Sequence, residues 1–246
     1  MKERAFVIGD VHGMADMLKQ LLKEWDREHE QLIFVGDLVD RGPKIKETLQ
    51  IAIDLQNHHD AKIIRGNHEA MLLEFLTDAE KYWPRYQRNS GITTLSELTG
   101  DTPEALSSLS LDDLVAYVKE RQPWLGSWIQ SLPHYIEYGD WVIVHAGVDL
   151  AIDDWKASEP TRFYWIRDEF HQTANNTGKK FLFGHTPLPY LNGDFSNLTI
   201  WQQQDKVGID AGAVYGGDLV GLHIHRDGRI FGESRVNGKG NFVDND

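Results

Sequence analysis

The sequence predicts an α/β fold in which parallel strands alternate with helices, and two observations carry this prediction. The first third of the 246-residue chain contains three short runs rich in valine, isoleucine and phenylalanine, a pattern typical of buried strands. The segments between these runs place apolar residues at helical spacing. The runs are AFVIG (5–9), LIFVG (32–36) and KIIRG (62–66). Strands and helices in this order form parallel pairs joined by right-handed crossovers.

The two intervening helices are predicted from apolar side chains that recur every three or four residues, from Met14 to Trp25 and from Ile45 to Ile53. From about residue 70 to 134 the pattern is helical and rich in loops, which predicts a covering subdomain. Within this cover, Ser110 is a candidate N-cap because acidic residues fill the turn that follows it.

The last part of the chain returns to strands. Residues 134–147 form a predicted hairpin with its turn at Gly139 and Asp140, and residues 179–186 form another strand. Two further segments, 198–210 and 220–235, are predicted to form one closing antiparallel sheet, the last element of the fold. No repeat or linker divides the sequence, so we expect residues 1–246 to form a single domain that includes the cover.

Composition excludes several classes of function. No run approaches the roughly 18 apolar residues of a membrane span, and the first apolar run is too short for a secretory signal, so we expect a cytoplasmic protein without a membrane partner. The absence of cysteine leaves oxygen and imidazole as metal ligands. The net charge of −13 argues against nucleic acid as a partner. Nothing in the sequence indicates the oligomeric state.

Polar clusters flanked by glycine close five apolar runs. They are GDVHG (9–13), GDLVDRGP (36–43), RGNHE (65–69), HAG (145–147) and GHT (184–186). Taken singly, an aspartate after a strand is more often a helix cap, and a lone histidine more often a core residue. Parallel strands bring their carboxyl ends to one edge, so we expect these clusters to converge. The side chains suited to hold two divalent cations are Asp10, His12, Asp37, Asn67, His145 and His185.

The ordered clusters, together with DAGAVYGGDL (210–219), resemble the motif series of the phosphoprotein phosphatase (PPP) family of metallophosphoesterases. The short chain is similar to the phage lambda phosphatase and the bacterial serine/threonine protein phosphatases of that family. The resemblance implies a calcineurin-like metallophosphoesterase fold, in which central mixed β-sheets form a β-sandwich flanked by helices, with a small helical cover.

The resemblance also implies a dinuclear metal centre. Asp10 and His12 would bind one ion, Asp37 would bridge both, and Asn67, His145 and His185 would complete the second site. A hydroxide that bridges the ions would attack phosphorus directly, without a covalent enzyme intermediate. Mn²⁺ is the metal expected first from the mixed oxygen and nitrogen ligands, with Fe and Zn²⁺ as alternatives.

Two further sets of residues take their roles from the resemblance. His68 would be the general acid, and Asp40 would fix its tautomer and raise its pKa. Glu69 is expected to support the site without touching substrate. Arginines that match phosphate-binding positions of the family are Arg41, Arg65 and Arg167. The match of Arg167 rests on a short W-x-R motif, so a surface arginine paired with a neighbouring carboxylate is its alternative.

Three functions are compatible with these motifs. The first is a serine/threonine protein phosphatase, whose substrate is a phosphorylated protein or a small phosphoester. The second is a symmetrical bis(5'-nucleosyl)-tetraphosphatase, which hydrolyses diadenosine tetraphosphate; those enzymes typically read GDLVARGP and LGNHD. Here Asp40 stands where they have alanine, and the third motif is RGNHE, which favours the phosphatase. The third is a non-catalytic binding module, which is disfavoured because every metal and acid position is filled.

Overall fold

The computed structural model describes residues 2–238, which contain two mixed five-stranded sheets. The strands are β1 (Arg4–Ile8), β2 (Glu30–Phe34), β3 (Lys62–Ile63), β4 (Tyr135–Tyr138), β5 (Trp141–Val144), β6 (Lys180–Phe183), β7 (Trp201–Gln203), β8 (Lys206–Gly208), β9 (Leu219–His225) and β10 (Ile230–Val236). The first sheet has the order β10-β9-β1-β2-β3 and the second β4-β5-β6-β8-β7. The β1, β2 and β3 strands are parallel, which confirms the predicted start of the chain.

Helices flank both sheets. They are α1 (Ala15–Leu21), α2 (Ile45–His59), α3 (Asn67–Thr77), α4 (Ala79–Arg88), α5 (Gly91–Thr99), α6 (Pro103–Ser107), α7 (Leu111–Arg121), α8 (Leu125–Ser131), α9 (Arg162–Trp165), α10 (Asp168–Gln172) and α11 (Leu188–Leu191). None of the helices found between residues 2 and 238 combines the length and the apolar character that crossing a bilayer requires. Short 3₁₀ turns occupy Trp155–Ala157 and Ala213–Tyr215.

The two sheets pack face to face as a β-sandwich. Successive strand side chains point to opposite faces, so Phe6 packs with the helices over the first sheet while Val7 faces the second sheet. Val7 shares its buried cluster with Leu182 of β6. On the far face of the second sheet, Phe181 packs against Phe170 of α10, with ring centroids 5.6 Å apart. This layering confirms the predicted calcineurin-like arrangement of mixed sheets flanked by helices.

The expectation of one closing antiparallel sheet was wrong. The β7–β8 hairpin belongs to the second sheet, where β8 runs parallel to β6, whereas the β9–β10 hairpin extends the first sheet, where β9 pairs antiparallel with β1. The predicted turn between β4 and β5 is present, with positive φ at Gly139, and a second turn with positive φ at Gly228 joins β9 to β10. Turn residues specify a hairpin locally, but the sheet that it joins depends on partners distant in sequence.

The helices α3 to α8 correspond to the predicted cover. The Ser110 hydroxyl accepts a hydrogen bond from the Asp113 amide at 3.2 Å, so the predicted N-cap is confirmed. Phe75 and Leu114 of the cover lie in the same buried cluster as Phe34 of the first sheet. The cover therefore packs directly on the first sheet, whose strand ends carry Asp10, His12, Asp37 and Asn67.

The first predicted helix ends earlier than its apolar pattern indicated, at Leu21 instead of Trp25. Trp25 is nevertheless 5% exposed, and its indole N–H donates to the carbonyl of Glu30 at 3.0 Å. Its place in the apolar pattern reflects this burial beside β2 rather than a helical conformation.

Candidate active site

The predicted metal ligands converge at the carboxyl ends of the parallel strands, around Asp37. One Asp37 oxygen lies 3.4 Å from Nε2 of His12, and the other lies 3.4 Å from Nε2 of His145. Two groups of donor atoms are close enough to hold a metal ion. They are His12, Asp37 and His68, and Asp37, His145 and His185. Every member is buried, and Asp37 belongs to both groups.

Asn67 and Asp10 complete the cluster. The side-chain oxygen of Asn67 lies 2.9 Å from Nε2 of His145 and 2.8 Å from Nδ1 of His185. The Asp10 carboxylate accepts a hydrogen bond from the backbone N–H of His185, with contacts of 3.0 and 3.2 Å to its two oxygens. The structure thus brings all six predicted ligands together, although Asp10 belongs to neither of the two donor groups.

Backbone carbonyls orient two of the histidine rings. Nδ1 of His12 donates to the carbonyl of Val39 at 2.8 Å, and Nδ1 of His145 donates to that of Val35 at 2.9 Å. Nε2 of each neutral ring is then an acceptor: that of His12 accepts a hydrogen bond from Nη1 of Arg41 at 2.7 Å, and that of His145 lies nearest the oxygen of Asn67. Metal-binding histidines are held in the same way by a hydrogen bond from the second nitrogen.

The donor set fits a cation better than a network of hydrogen bonds. Burial lowers the pKa of His145 to about 4, so its ring is neutral at pH 7. Its Nε2 lone pair then faces the oxygen of Asn67, and two acceptors repel unless a cation lies between or beside them. Nε2 of His185 is buried without a hydrogen-bond partner. The residues present therefore fit the divalent ions that the fold family implies.

The backbone at the site is strained. Nine described non-glycine residues have positive φ, a conformation that L-residues rarely adopt, and five of them are predicted site residues. These five are His12, Asp37, Asp40, Arg41 and His185, with φ between 43° and 69°. Such conformations persist only where the surroundings enforce them, and they concentrate at functional sites.

Glu69 is one of the groups that enforce this geometry. Its carboxylate accepts backbone hydrogen bonds from Asp37 and Leu38 at 2.9 and 2.7 Å, and from Gly66 at 2.9 Å. A Cβ atom on Gly66 would lie 2.2 Å from the Asp37 carboxylate, so only glycine fits there. Glu69 thus stabilises the backbone of the site through hydrogen bonds, which is the supporting role expected from the sequence.

His68 and Asp40 form a buried pair beside the donor groups. Nδ1 of His68 lies 2.6 Å from the Asp40 carboxylate, which also accepts a short hydrogen bond from the hydroxyl of Thr94 in the cover. This contact is the one expected of a residue that fixes the His68 tautomer. The expectation that the His68 pKa is raised was wrong. Burial lowers it to about 3 and raises that of Asp40 to about 7, since both charged forms lose hydration.

A cavity of about 170 Å³ opens over these residues. Arg41 and Arg167 line it and supply positive charge, and Trp165 and Tyr215 supply aromatic walls. Asp210 also lines it and was not among the predicted site residues; its place at the start of DAGAVYGGDL was the available signal. Two arginines beside the donor groups make the cavity suitable for a phosphoryl group.

Arg65 does not line this cavity. Its guanidinium donates to three backbone carbonyls at the end of α8, at 3.1, 2.7 and 3.3 Å. The acceptors are the carbonyls of Ile129, Gln130 and Leu132. A contact with phosphate would require these bonds to break, so the geometry favours a structural role, and the predicted phosphate contact of Arg65 stays a prediction.

Arg167 reaches the cavity from the start of α10, and Nη1 donates to the Thr186 hydroxyl at 3.2 Å. Lys206, fully buried on β8, holds the other end of this short helix. Its ammonium donates to the carbonyls of Phe170, His171 and Thr173 at 2.7 to 2.9 Å. The helix that carries Arg167 is therefore anchored to the second sheet by a charged side chain.

Replacement of Arg167 is expected to affect catalysis, whereas replacement of Arg65 is expected to affect stability. Replacing Arg167 with alanine should lower kcat/KM for a phosphoester by about 30- to 1,000-fold, the cost of one charge-assisted contact in the transition state. Replacing Arg65 with alanine should instead lower the free energy of unfolding by about 2 to 3 kcal/mol, because three carbonyls lose a charged donor. Urea unfolding and steady-state kinetics on both variants distinguish these outcomes. Wild-type kinetics in the Arg167 variant would make Arg167 a surface arginine.

The fold and the site together define a phosphoesterase that uses metal ions. The sequence model of the calcineurin-like phosphoesterase family matches residues 4–221, which is most of the chain. The chain belongs to this family. Divalent metal ions are implied by that membership, and the two donor groups around Asp37 are where they would bind.

Curated relatives carry more than one activity. Serine/threonine-protein phosphatase 1 of Salmonella typhimurium is 30% identical over 87% of this chain and 88% of its own length. The symmetrical bis(5'-nucleosyl)-tetraphosphatase of Vibrio parahaemolyticus is 32% identical, but the match spans 58% of this chain and 44% of that protein. The asymmetrical bis(5'-nucleosyl)-tetraphosphatase PrpE of Bacillus mycoides is 28% identical over 88% of both chains.

Solved structures agree on the fold. A crystal structure whose description names a diadenosine tetraphosphatase superposes with a TM-score of 0.63 at 19% identity, over 97% of this chain and 95% of that one. A cold-active protein-tyrosine phosphatase of Shewanella gives 0.60 at 17% identity, over 99% and 80%. At these identities the likeness extends to the fold alone.

Proposed function

We propose that the protein is a serine/threonine phosphatase that hydrolyses phosphoserine and phosphothreonine in proteins. The observation that carries this proposal is the buried pair of His68 and Asp40, whose 2.6 Å contact aims the other ring nitrogen of His68 at the cavity. A serine or threonine alkoxide is a very poor leaving group and requires a proton as it departs. His68, held by Asp40 beside the donor groups, is positioned to supply this proton.

In this proposal the arginines, His68 and Asp40 have separate roles in the reaction. When bound, two divalent ions would polarise the phosphoryl group and lower the pKa of water to supply the nucleophile. Arg41 and Arg167 bind the phosphoryl oxygens and orient them in the cavity. His68 donates a proton from Nε2 to the leaving oxygen, and Asp40 holds Nδ1. The negative charge of a bound phosphoryl group favours the protonated form of His68, and so opposes the effect of burial on its pKa.

In this proposal the metal ions would be held by Asp10, His12, Asp37, Asn67, His145 and His185, whose imidazoles are neutral because burial lowers their pKa. The ligand set places few anions around the ions, which keeps them strong Lewis acids. Mixed oxygen and nitrogen donors suit Mn²⁺ first, and Fe or Zn²⁺ as alternatives.

The second candidate is a dinucleoside tetraphosphatase, which two of the curated relatives favour by name. Cleavage of a phosphoanhydride releases a nucleotide, a far better leaving group than an alkoxide, so a general acid contributes little there. Asp40 would then have no role in the reaction, although it is fully buried and bonded to both His68 and Thr94. The cost of burying this carboxylate supports the phosphatase.

Turnover of a phosphothreonine peptide and of diadenosine tetraphosphate, measured side by side, tests this proposal. We expect wild-type kcat/KM to favour the peptide. Replacing Asp40 with alanine should lower peptide turnover by about 10- to 100-fold, part of the 10² to 10⁴ that a positioned acid contributes, and tetraphosphate turnover by much less. A wild-type preference for the tetraphosphate, with both rates indifferent to Asp40, would support the second candidate instead.

A further inference from the structure

A groove of about 680 Å³ lies beside the active-site cavity, between α11 with the loop after it and residues 211–217. Four residues line both spaces, so the groove adjoins the cavity directly. They are Arg167, Pro187, Gly212 and Tyr215. The far wall is formed by Tyr190 of α11 and by the loop that follows it, including Phe195 and Leu198.

Exposed aromatic side chains concentrate in this groove. Seven large hydrophobic residues are exposed in the described part of the chain, and three of them line the groove. Tyr190 is 54% exposed, Tyr215 68% and Phe195 91%. Clustered apolar side chains beside a reaction site mark a binding surface, whereas scattered ones require no explanation.

The scarcity of charged side chains in the groove indicates what kind of molecule binds there. Of the described residues that line it, Arg167 alone has a charged side chain, and this arginine also faces the cavity. A polyphosphate chain that continued into the groove would find no second cation, and the net charge of −13 would repel it. An uncharged polypeptide with apolar side chains matches the walls.

We propose that this groove binds apolar side chains next to the phosphorylated serine or threonine of a protein substrate. The inference rests on the proposed function, because it takes the phosphoryl group of the same substrate to lie between Arg41 and Arg167. Consecutive residues of an extended chain advance by about 3.3 to 3.6 Å, so the flanking residues pass Tyr215 and enter the groove. Sequence preference among substrates then arises at Tyr190, Phe195 and Leu198.

The test uses the full chain and two phosphothreonine peptides, one with leucine and one with asparagine, an uncharged polar residue of similar size, on both sides of the phosphothreonine. Wild type should show about a tenfold higher kcat/KM for the leucine peptide, the effect of burying one large apolar side chain. Phe195→Asp should remove most of this preference. Phe231→Asp is the matched control, because Phe231 is also an exposed phenylalanine but lies on β10, outside the groove.

The outcomes separate this inference from the proposed function. Equal turnover of both peptides by wild type, or an equal loss on both in Phe195→Asp, would overturn the inference and leave the phosphatase in place. No turnover of either peptide, with good turnover of diadenosine tetraphosphate, would overturn the proposed function. If Phe195→Asp then selectively slowed the tetraphosphate, the groove would bind a base and the inference would also be wrong.

Discussion

Replacing Asp37 with asparagine is expected to weaken both metal sites at once and to lower kcat/KM by about 10³-fold, the upper end of the cost of losing one preorganised electrostatic group. The reason is geometric. The two carboxylate oxygens lie 3.4 Å from the Nε2 atoms of His12 and His145, so one side chain serves both donor groups. Asparagine keeps one oxygen but no charge, and added Mn²⁺ should restore activity only in part.

Elemental analysis and calorimetric titration with Mn²⁺ measure this effect independently of turnover. His12→Gln is the contrast, since it should weaken one site alone. Burial raises the pKa of Asp37, which means that its charged form destabilises the metal-free fold, so the chelated asparagine variant should unfold at no lower temperature than chelated wild type. Full activity in chelated wild type that contains no metal would show that the two-metal interpretation is wrong.

The sequence predicted the parallel core because the relevant signals are local. Short apolar runs separated by helical periods leave few arrangements for β1, β2 and β3, and the right-handed crossover rule makes these strands parallel. The same reasoning could not assign the β7–β8 and β9–β10 hairpins to different sheets. Their pairing with β6 and β1 depends on contacts made across much of the chain, which no window of sequence contains.

The convergence of the donor side chains was predictable from the sequence, whereas the directions of the arginine side chains and the pKa of His68 were not. Five glycine-flanked clusters at strand ends indicated which donors meet, but the expected single edge was wrong, since His145 and His185 follow β5 and β6 of the second sheet. The direction of a long side chain depends instead on its neighbours. Arg41 and Arg65 match the family motifs equally well, but Arg41 lines the cavity and Arg65 donates to the carbonyls of α8. The lowered pKa of His68 could not be predicted for a related reason, since burial outweighs the raising effect of the nearby Asp37 charge and only the fold shows that burial.

A His68→Asn variant should lose about 10²- to 10⁴-fold in kcat/KM on a phosphothreonine peptide, the usual contribution of a positioned general acid, and far less on p-nitrophenyl phosphate. The difference follows from the leaving groups, because p-nitrophenolate departs without a proton and a threonine alkoxide does not. Asp40→Asn should show a milder form of the same selectivity, since His68 would lose the partner 2.6 Å from Nδ1 that orients it. Both substrates are measured with wild type and the two variants.

Metal content decides between this role and its structural alternative. Nε2 of His68 lies 4.0 Å from the Asp37 carboxylate, and His68 belongs to one of the two groups that could hold an ion, so it has the position of a ligand as well as that of an acid. A general acid can be removed without loss of metal, whereas a ligand cannot. Selective loss on the peptide at wild-type metal content is the expected result. Equal losses on both substrates accompanied by lost metal would make His68 a ligand, and the proton donor would have to be another residue lining the cavity.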